Sequence, residues 1–206
     1  MVGVGAAKAV ITVVLLIHSG GWLSGSPQSM DTAAKLARAH GMRPVEVFYP
    51  LGSLPRARKA VVQTARRWNR RADRVVALGE SAGGTEALIL AHRGLVSAAA
   101  ANAPVADIPR WSAGLACPLC LGPESVQRAN SPIHLAPAVP ALVIASHDDD
   151  TVPAVDQGLA YWRKFAPMAR FRWVPGGHIA DAPNSLYEGP IYRANTSAEL
   201  RWLAKR

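Results

Sequence analysis

The 206-residue sequence predicts an α/β domain with a mostly parallel sheet and helices on both faces. Short apolar runs typical of strands alternate with segments rich in helix-forming residues along the chain. Half of the residues are hydrophobic, which allows a sizeable core, and the 18% of charged residues argues against disorder. The length fits one domain over residues 1–206.

The predicted elements follow one another as strand and helix. Strands are predicted near residues 10–17, 44–49, 74–78, 97–101, 141–146 and 170–174, and helices near residues 29–40, 55–70, 82–93, 155–165 and 194–204. The strands are rich in apolar and β-branched residues, as expected where both faces of a parallel sheet are covered. The first helix has a start signal at Asp31 and Thr32, and Gly41 ends it. This alternation predicts a minimal sheet of about six strands.

Residues 102–140 interrupt the alternation of strands and helices. They contain seven prolines (Pro104, Pro109, Pro118, Pro123, Pro132, Pro137 and Pro140) and form a long connection for a compact domain. Long connections of this kind often carry function. We expect this insertion to wall a pocket without forming a full cap domain.

Residues 79–83 read Gly-Glu-Ser-Ala-Gly, a G-x-S-x-G motif at a predicted change from strand to helix. A serine on such a sharp turn projects its hydroxyl clear of the sheet, and the flanking glycines allow close backbone approach. Ser81 is therefore the candidate nucleophile, and the alternative is an ordinary serine helix cap. The backbone N–H of Ala82, near the helix N-terminus, is a candidate donor to a developing negative charge.

Two further segments supply the other residue types that acyl transfer needs. Gly20 and Gly21 directly follow the first strand, where backbone N–H groups can face a cleft and complete an oxyanion hole. His178 follows the last strand and is the candidate general base for the serine. Between them, residues 148–150 are three consecutive aspartates after the fifth strand, so an acid is available. Sites of open α/β sheets lie at this carboxyl edge of the strands.

The chain resembles the α/β-hydrolase superfamily, in particular its small carboxylesterases and dienelactone-hydrolase-like members. The matching segments are His18-Ser19-Gly20-Gly21-Trp22, Gly79–Gly83, Asn130-Ser131-Pro132-Ile133, Asp149–Pro153 and Gly176-Gly177-His178, and the order serine, acid, histidine is that of the superfamily. Ser19 departs from the family's H-G-G-G-W pattern, so the Trp22 N–H competes with Gly20 and Gly21 as the donor. The family's D-x-x-V-P spacing selects Asp149 as the acid, with Asp150 as the alternative.

The resemblance implies a serine esterase that cleaves small or short-acyl esters without metal or cofactor. Ser81, His178 and Asp149 would form its triad, and Trp22 and Trp111 would line a shallow substrate pocket. The same triad serves thioesterases, amidases and peptidases, so these activities remain alternatives. A catalytically silent hydrolase-fold binding protein is a further one. The expected partner is a small-molecule ester, and the oligomeric state stays open.

The formal net charge of +9 requires a separate interpretation. Basic residues are concentrated at Arg56, Arg58, Lys59, Arg66, Arg67, Arg70, Arg71 and Arg74. With apolar residues between them, they predict an amphipathic helix with a solvated basic face. Nucleic-acid binding is not expected, because no motif of a nucleic-acid-binding module is present. A basic surface can still attract anionic ligands.

The first apolar run and the two cysteines each suggest a misleading assignment. The run through Ile17 resembles a signal peptide, but it leads directly into the Gly20-Gly21 segment and is too short to span a membrane. We expect it to be a core strand of a soluble, cytoplasmic protein. Cys117 and Cys120 form a C-x-x-C pair in the proline-rich connection. Two loop thiols, a local disulfide and a redox site are the alternatives, and a zinc site would need more ligands.

Overall fold

The computed structural model describes residues 10–115, 118–179 and 189–206. Its single described sheet has six strands: β1 (Thr12–Ile17), β2 (Arg43–Val47), β3 (Arg74–Glu80), β4 (Ala99–Asn102), β5 (Ala141–Ala145) and β6 (Ala169–Trp173). All five neighbouring pairs are parallel, in the order β2-β1-β3-β4-β5-β6. The predicted six-stranded parallel sheet is confirmed. Because the strands are parallel, their carboxyl ends lie at one edge.

Helices cover both faces of this sheet. The α-helices are α1 (Asp31–Ala39), α2 (Leu54–Asn69), α3 (Ala82–His92), α4 (Ile108–Ser112), α5 (Glu124–Ala129), α6 (Gly158–Phe165) and α7 (Pro190–Ala204). Val13 and Leu15 of β1 pack in a core with α2 and α3. Val14 and Leu16 alternate with them and pack in a second core with α1 and α7. This alternation explains why β1 is buried along its whole length.

Two helices begin at positions other than those predicted. The helix predicted from residue 155 begins at Gly158, whose backbone lies so close to β5 that an added Cβ would meet Val143 Cγ1 at 2.9 Å. The last helix begins at Pro190 rather than at residue 194. Proline at the first helical position has its backbone angle preset for the helix, and its missing N–H costs nothing there.

The proline-rich connection between β4 and β5 contains short helices. Among its described residues are α4, α5 and two 3-10 turns, Pro118–Leu121 and Pro132–His134. Three of these four elements begin at or directly after a proline, and α4 has Pro109 as its second residue. Proline favours the first turn of a helix. In the described part of the chain these pieces cover the sheet edge without forming a separate cap domain, as predicted.

None of the helices in residues 10–115, 118–179 and 189–206 has the length and apolar character needed to cross a membrane.

Candidate active site at the carboxyl edge of the sheet

Ser81 lies at the sharp turn between β3 and α3. Its backbone angles are φ 51° and ψ −117°, in a region that non-glycine residues rarely occupy. Its N–H donates to the Asn102 carbonyl at 2.8 Å, which ties the turn to the end of β4. Strain of this kind persists only where the surrounding structure holds it, and it is typical of a nucleophile elbow.

The flanking glycines are required by close contacts between backbone segments. A Cβ at Gly79 would lie 2.1 Å from the Gly83 carbonyl oxygen, and one at Gly83 would lie 2.0 Å from the Ile17 carbonyl oxygen. Both distances are far below van der Waals contact. The G-x-S-x-G spacing therefore reflects how tightly the turn packs on itself and on β1.

His178 and Asp149 are brought together from the ends of β6 and β5. The His178 Nδ1 and Asp149 Oδ2 atoms are 2.8 Å apart. The other oxygen of the carboxylate, Oδ1, accepts the backbone N–H groups of Thr151 at 3.0 Å and Val152 at 2.7 Å. Asp149 is only 4% exposed, whereas Asp148 and Asp150 are exposed. The structure thus distinguishes Asp149 from its two neighbours.

The Ser81 hydroxyl is not joined to His178 by a hydrogen bond. Among the described residues it has no hydrogen-bond partner, and its oxygen is not one of the enclosed, unpaired polar atoms. It therefore keeps access to the site. Catalytic hydrogen bonds are often long in the absence of substrate and tighten only when substrate binds.

The segment that follows β1 forms a compact turn. Gly20, Gly21 and Trp22 have φ values of 110°, 61° and 63°, and the Gly20 carbonyl accepts the N–H groups of Leu23 and Ser24, each at 3.0 Å. A Cβ at Gly20 would lie 2.1 Å from the Ser24 carbonyl oxygen, so only glycine fits there. In the described residues, the N–H groups of Gly20, Gly21, Trp22 and Ala82 have no protein acceptor.

His18 packs against this turn and supports it. Its ring is stacked on Tyr49, with centroids 4.1 Å apart, and its Nδ1 lies 2.7 Å from the Ser19 carbonyl oxygen. The Tyr49 hydroxyl donates to the carbonyls of His18 and Ser19. Burial lowers the pKa of His18, and the contact with the Ser19 carbonyl partly opposes this. A neutral, stacked histidine acts as a support for the turn.

Trp22 does not line a pocket, contrary to the prediction. Its side chain is completely buried in the core, and its Nε1 donates to Glu86 Oε1 at 3.0 Å. A substrate therefore cannot contact the Trp22 ring. The ring instead anchors the Gly20-Gly21 turn to α3.

The Trp111 ring lies beside the Gly20-Gly21 turn. Its Cη2 would lie 3.5 Å from a Cβ at Gly21, and its Nε1 donates to the Thr151 carbonyl at 2.8 Å. The ring thus spans the gap between the Gly20-Gly21 turn and the loop that carries Asp149. Together with Thr151, Pro153 and Gln157 it lines a cavity of about 370 Å³.

Sequence analysis missed Glu86 and wrongly placed Arg58 on a solvated helix face, because the two side chains form a buried ion pair behind the site. Arg58 Nε donates to Glu86 Oε2, and its Nη2 lies 3.1 Å from Glu86 Oε1 and from the Asn130 carbonyl. Glu86 also accepts the Trp22 N–H, so one carboxylate connects α2, α3 and the Gly20-Gly21 turn. The signal in the sequence is a single glutamate within the otherwise largely apolar helix α3.

Replacing Glu86 with glutamine is expected to destabilise the protein by about 3–5 kcal/mol, because the Arg58 charge would stay buried without its partner. Glu124→Gln is the matched control, since Glu124 pairs with Arg128 on an exposed helix surface and should cost at most about 0.5 kcal/mol. Urea unfolding followed by circular dichroism measures both changes. Equal stability losses in the two variants would contradict this role for Glu86.

A second buried acid, Glu80, precedes Ser81 directly and was also missed. The Tyr192 hydroxyl donates to Glu80 Oε1 at 2.6 Å, and Tyr192 packs against Ile179, the residue after His178. Burial raises the pKa of Glu80 to about 7, although the Tyr192 hydrogen bond opposes the shift. Burial, together with the charge of Glu80, also raises the pKa of Glu199 well above its usual value.

These raised pKa values predict that stability falls as the pH rises. Above pH 4.5, the unfolded chain releases the Glu80 proton, while the folded protein keeps it until about pH 7. The loss attributable to Glu80 is about 3 kcal/mol across this window. Glu80→Gln should remove this pH-dependent loss of stability, because the amide resembles the protonated acid and does not titrate. Urea unfolding at about pH 5 and pH 8 tests this. An unchanged pH dependence in the variant would refute it.

The described residues also bear on metal binding and on the cysteine pair. Within the residues that the structure describes, no cluster of three or more histidine, cysteine or acidic side chains could hold a metal ion. Cys120 is disulfide-bonded, which favours the disulfide among the three alternatives, and Cys117 lies outside the described residues.

Comparisons with known proteins give a fold relationship. No protein-family profile and no curated protein matches the sequence. Among solved structures, a carboxylesterase from Lactobacillus plantarum WCFS1, Cest-2923, superposes with a TM-score of 0.78 at 18% identity, over 98% of this chain and 88% of that one. The carboxylesterase EstE1 from a metagenomic library gives 0.76 at 21% identity, over 97% and 81%.

The chain has an α/β-hydrolase fold. An acetyl ester-xyloside bifunctional hydrolase from Caldicellulosiruptor lactoaceticus gives a similar match, with a TM-score of 0.77 at 14% identity over 97% of this chain and 84% of that one. The expected α/β-hydrolase architecture is therefore confirmed. In this fold, Ser81, Asp149 and His178 follow the third, fifth and sixth strands at the carboxyl edge of the sheet.

Proposed function

We propose that this α/β-hydrolase is a serine carboxylesterase that cleaves small or short-acyl esters. The observation that carries the proposal is the 2.8 Å contact between His178 Nδ1 and Asp149 Oδ2, at the sheet edge where strained Ser81 also lies. A buried carboxylate on Nδ1 fixes the histidine so that Nε2 can accept a proton. The esterases of similar fold support the choice of ester chemistry.

The catalytic cycle is acyl transfer. Ser81 Oγ attacks the ester carbonyl carbon while His178 Nε2 takes the hydroxyl proton. The π electron pair of the C=O bond moves onto the carbonyl oxygen. The N–H of Ala82 and an N–H of the Gly20-Gly21 turn hold that oxyanion. His178 then protonates the leaving alcohol. Water repeats the sequence on the acyl-serine and releases the acid.

Labelling with a fluorophosphonate probe tests the proposal directly. Such probes form a covalent bond with an activated serine and leave ordinary hydroxyls unmodified. The expected result is one labelled peptide, with the modification mapped to Ser81 by mass spectrometry. Absence of labelling, or labelling at another serine, would overturn the assignment. Turnover of matched ester, thioester and amide substrates then separates the esterase from the other acyl-transfer activities.

Short-acyl esters are expected to be the best substrates. Trp111 lines an open cavity next to the Gly20-Gly21 turn, although Ser81, Asp149 and His178 are not among the residues that line it. The described part of the proline-rich connection forms short helices instead of a cap domain. A long acyl chain finds little apolar groove here in which to gain about 25 cal/mol per Å² of buried surface. Rates with p-nitrophenyl esters from acetate to palmitate measure the preference. A maximum at laurate or longer chains would refute the shallow pocket.

A further inference from the structure

A second cavity lies along α2, and it is lined by four cationic side chains and by none of the candidate catalytic residues. Its volume is about 360 Å³, and its lining residues are Pro55, Arg58, Lys59, Val62, Gln63, Arg66, Arg93 and Asn130. None of these lining residues is acidic. We call this cavity the α2 pocket.

The cations reach the α2 pocket from two helices. Arg58, Val62 and Arg66 are spaced four residues apart on α2 and therefore share one helix face. Arg93 is the C-cap residue of α3, so it approaches from the opposite wall. Lys59, Arg66 and Arg93 are exposed, whereas Arg58 is buried. Arg58 thus forms the floor of the pocket and the other three form its rim.

Arg58 is only partly satisfied by its protein partners. Its Nε and Nη2 donate to Glu86, and Nη2 also contacts the Asn130 carbonyl. The Arg58 side chain is only 5% exposed. Its third nitrogen, Nη1, is buried and has no partner in the described residues. A buried N–H donor without an acceptor is unfavourable, so the Arg58 guanidinium at the floor of the pocket is not fully compensated by the protein.

The charges around the α2 pocket are unbalanced. Glu86 is the acid that faces Arg58 from α3, and its oxygens are already used by Arg58 and Trp22. Burial lowers the pKa of Arg93, and the positive charges of Arg58 and Arg66 lower it further, while Glu86 partly opposes the shift. Four cations against one carboxylate leave an excess of about three positive charges.

We propose that the α2 pocket binds a multiply charged phosphate anion of the pyrophosphate type. Guanidinium groups match the geometry of phosphate oxygens and bind them through paired N–H donors. Cations on opposite walls favour a ligand with two linked anionic groups over a single carboxylate. The cavity is large enough for such a group, and the net charge of +9 favours its approach.

Calorimetric titration of the whole protein with inorganic pyrophosphate tests the proposal. Arg66→Gln and Arg93→Gln each remove a rim cation at an exposed position, so the fold should survive. Each is expected to weaken binding at least about tenfold, as loss of a charge-assisted hydrogen bond predicts. Arg67→Gln is the matched control, because it makes the same charge change at the next, exposed position of α2 and does not line the pocket.

The outcomes separate a specific site from general attraction. Binding that weakens in Arg66→Gln and Arg93→Gln but stays within about twofold in Arg67→Gln supports the α2 pocket. Equal weakening in all three variants, or no binding at low salt, would overturn it. A parallel titration with ADP identifies the source of the phosphates. Tighter binding of ADP than of pyrophosphate points to a nucleotide, and the reverse order points to the free anion.

Discussion

Replacing Ser81 with alanine is expected to abolish ester hydrolysis, with a loss of turnover on the order of 10⁶-fold. The proposed reaction needs a covalent acyl-serine, and water activated by His178 alone cannot replace it. The hydroxyl has no hydrogen-bond partner among the described residues, so its removal should leave the fold unchanged. Turnover of a p-nitrophenyl ester and a circular dichroism spectrum measure the two effects.

Ser146→Ala provides the control for this prediction. Ser146 directly follows β5 at the same sheet edge, is similarly buried, and accepts the Asp148 N–H. Because it has no place in the proposed reaction, the variant should retain most of its turnover. A folded Ser81→Ala variant that still turns over the ester normally would show that the chemistry resides elsewhere.

The sheet could be predicted from the sequence because its signals are local. A strand such as β1 is an uninterrupted apolar run, and β3 ends directly at the G-x-S-x-G motif. The order of these runs and the parallel connections between them determine which edge carries Ser81, Asp149 and His178. The ends of helices are set less locally, since the start of α6 depends on the close approach of Gly158 to β5.

The support of the site could not be predicted in the same way, because it depends on contacts between distant residues. Trp22 is a residue type common in pockets, yet its ring packs in the core and its N–H donates to Glu86, 64 positions later. Glu80 and Tyr192 are 112 positions apart, and neither residue type indicates the pairing. Sequence patterns identify which face of an element is buried, but not which polar groups meet there.

Sequence spacing and the structure both select Asp149 over its two neighbours. A family resemblance selected it by spacing, with Asp150 as the alternative. The structure adds a physical distinction, because Asp149 is buried and contacts His178, while Asp148 and Asp150 are exposed. Burial without solvent makes the electrostatic effect of one carboxylate on the imidazole much larger than that of two solvated ones.

Asp149→Asn is accordingly expected to lower turnover by about 10⁴-fold. The asparagine Oδ1 can still accept the N–H groups of Thr151 and Val152, so the loop should keep its shape. Its amide then takes the place of Oδ2 and presents N–H donors to His178 Nδ1. The imidazole must carry its proton on Nε2, the atom that has to accept the Ser81 proton. The negative charge that stabilises the protonated imidazole is lost as well.

Asp148→Asn and Asp150→Asn make the same chemical change at the two adjacent, exposed positions. Since neither side chain contacts His178 among the described residues, both variants should keep turnover within about tenfold of the parent. Steady-state kinetics with one short-acyl ester, together with unfolding curves for all three variants, measure these differences. If Asp150→Asn proved more damaging than Asp149→Asn in folded protein, the acid would be assigned one residue too early, and the His178–Asp149 contact would not be the one that supports catalysis.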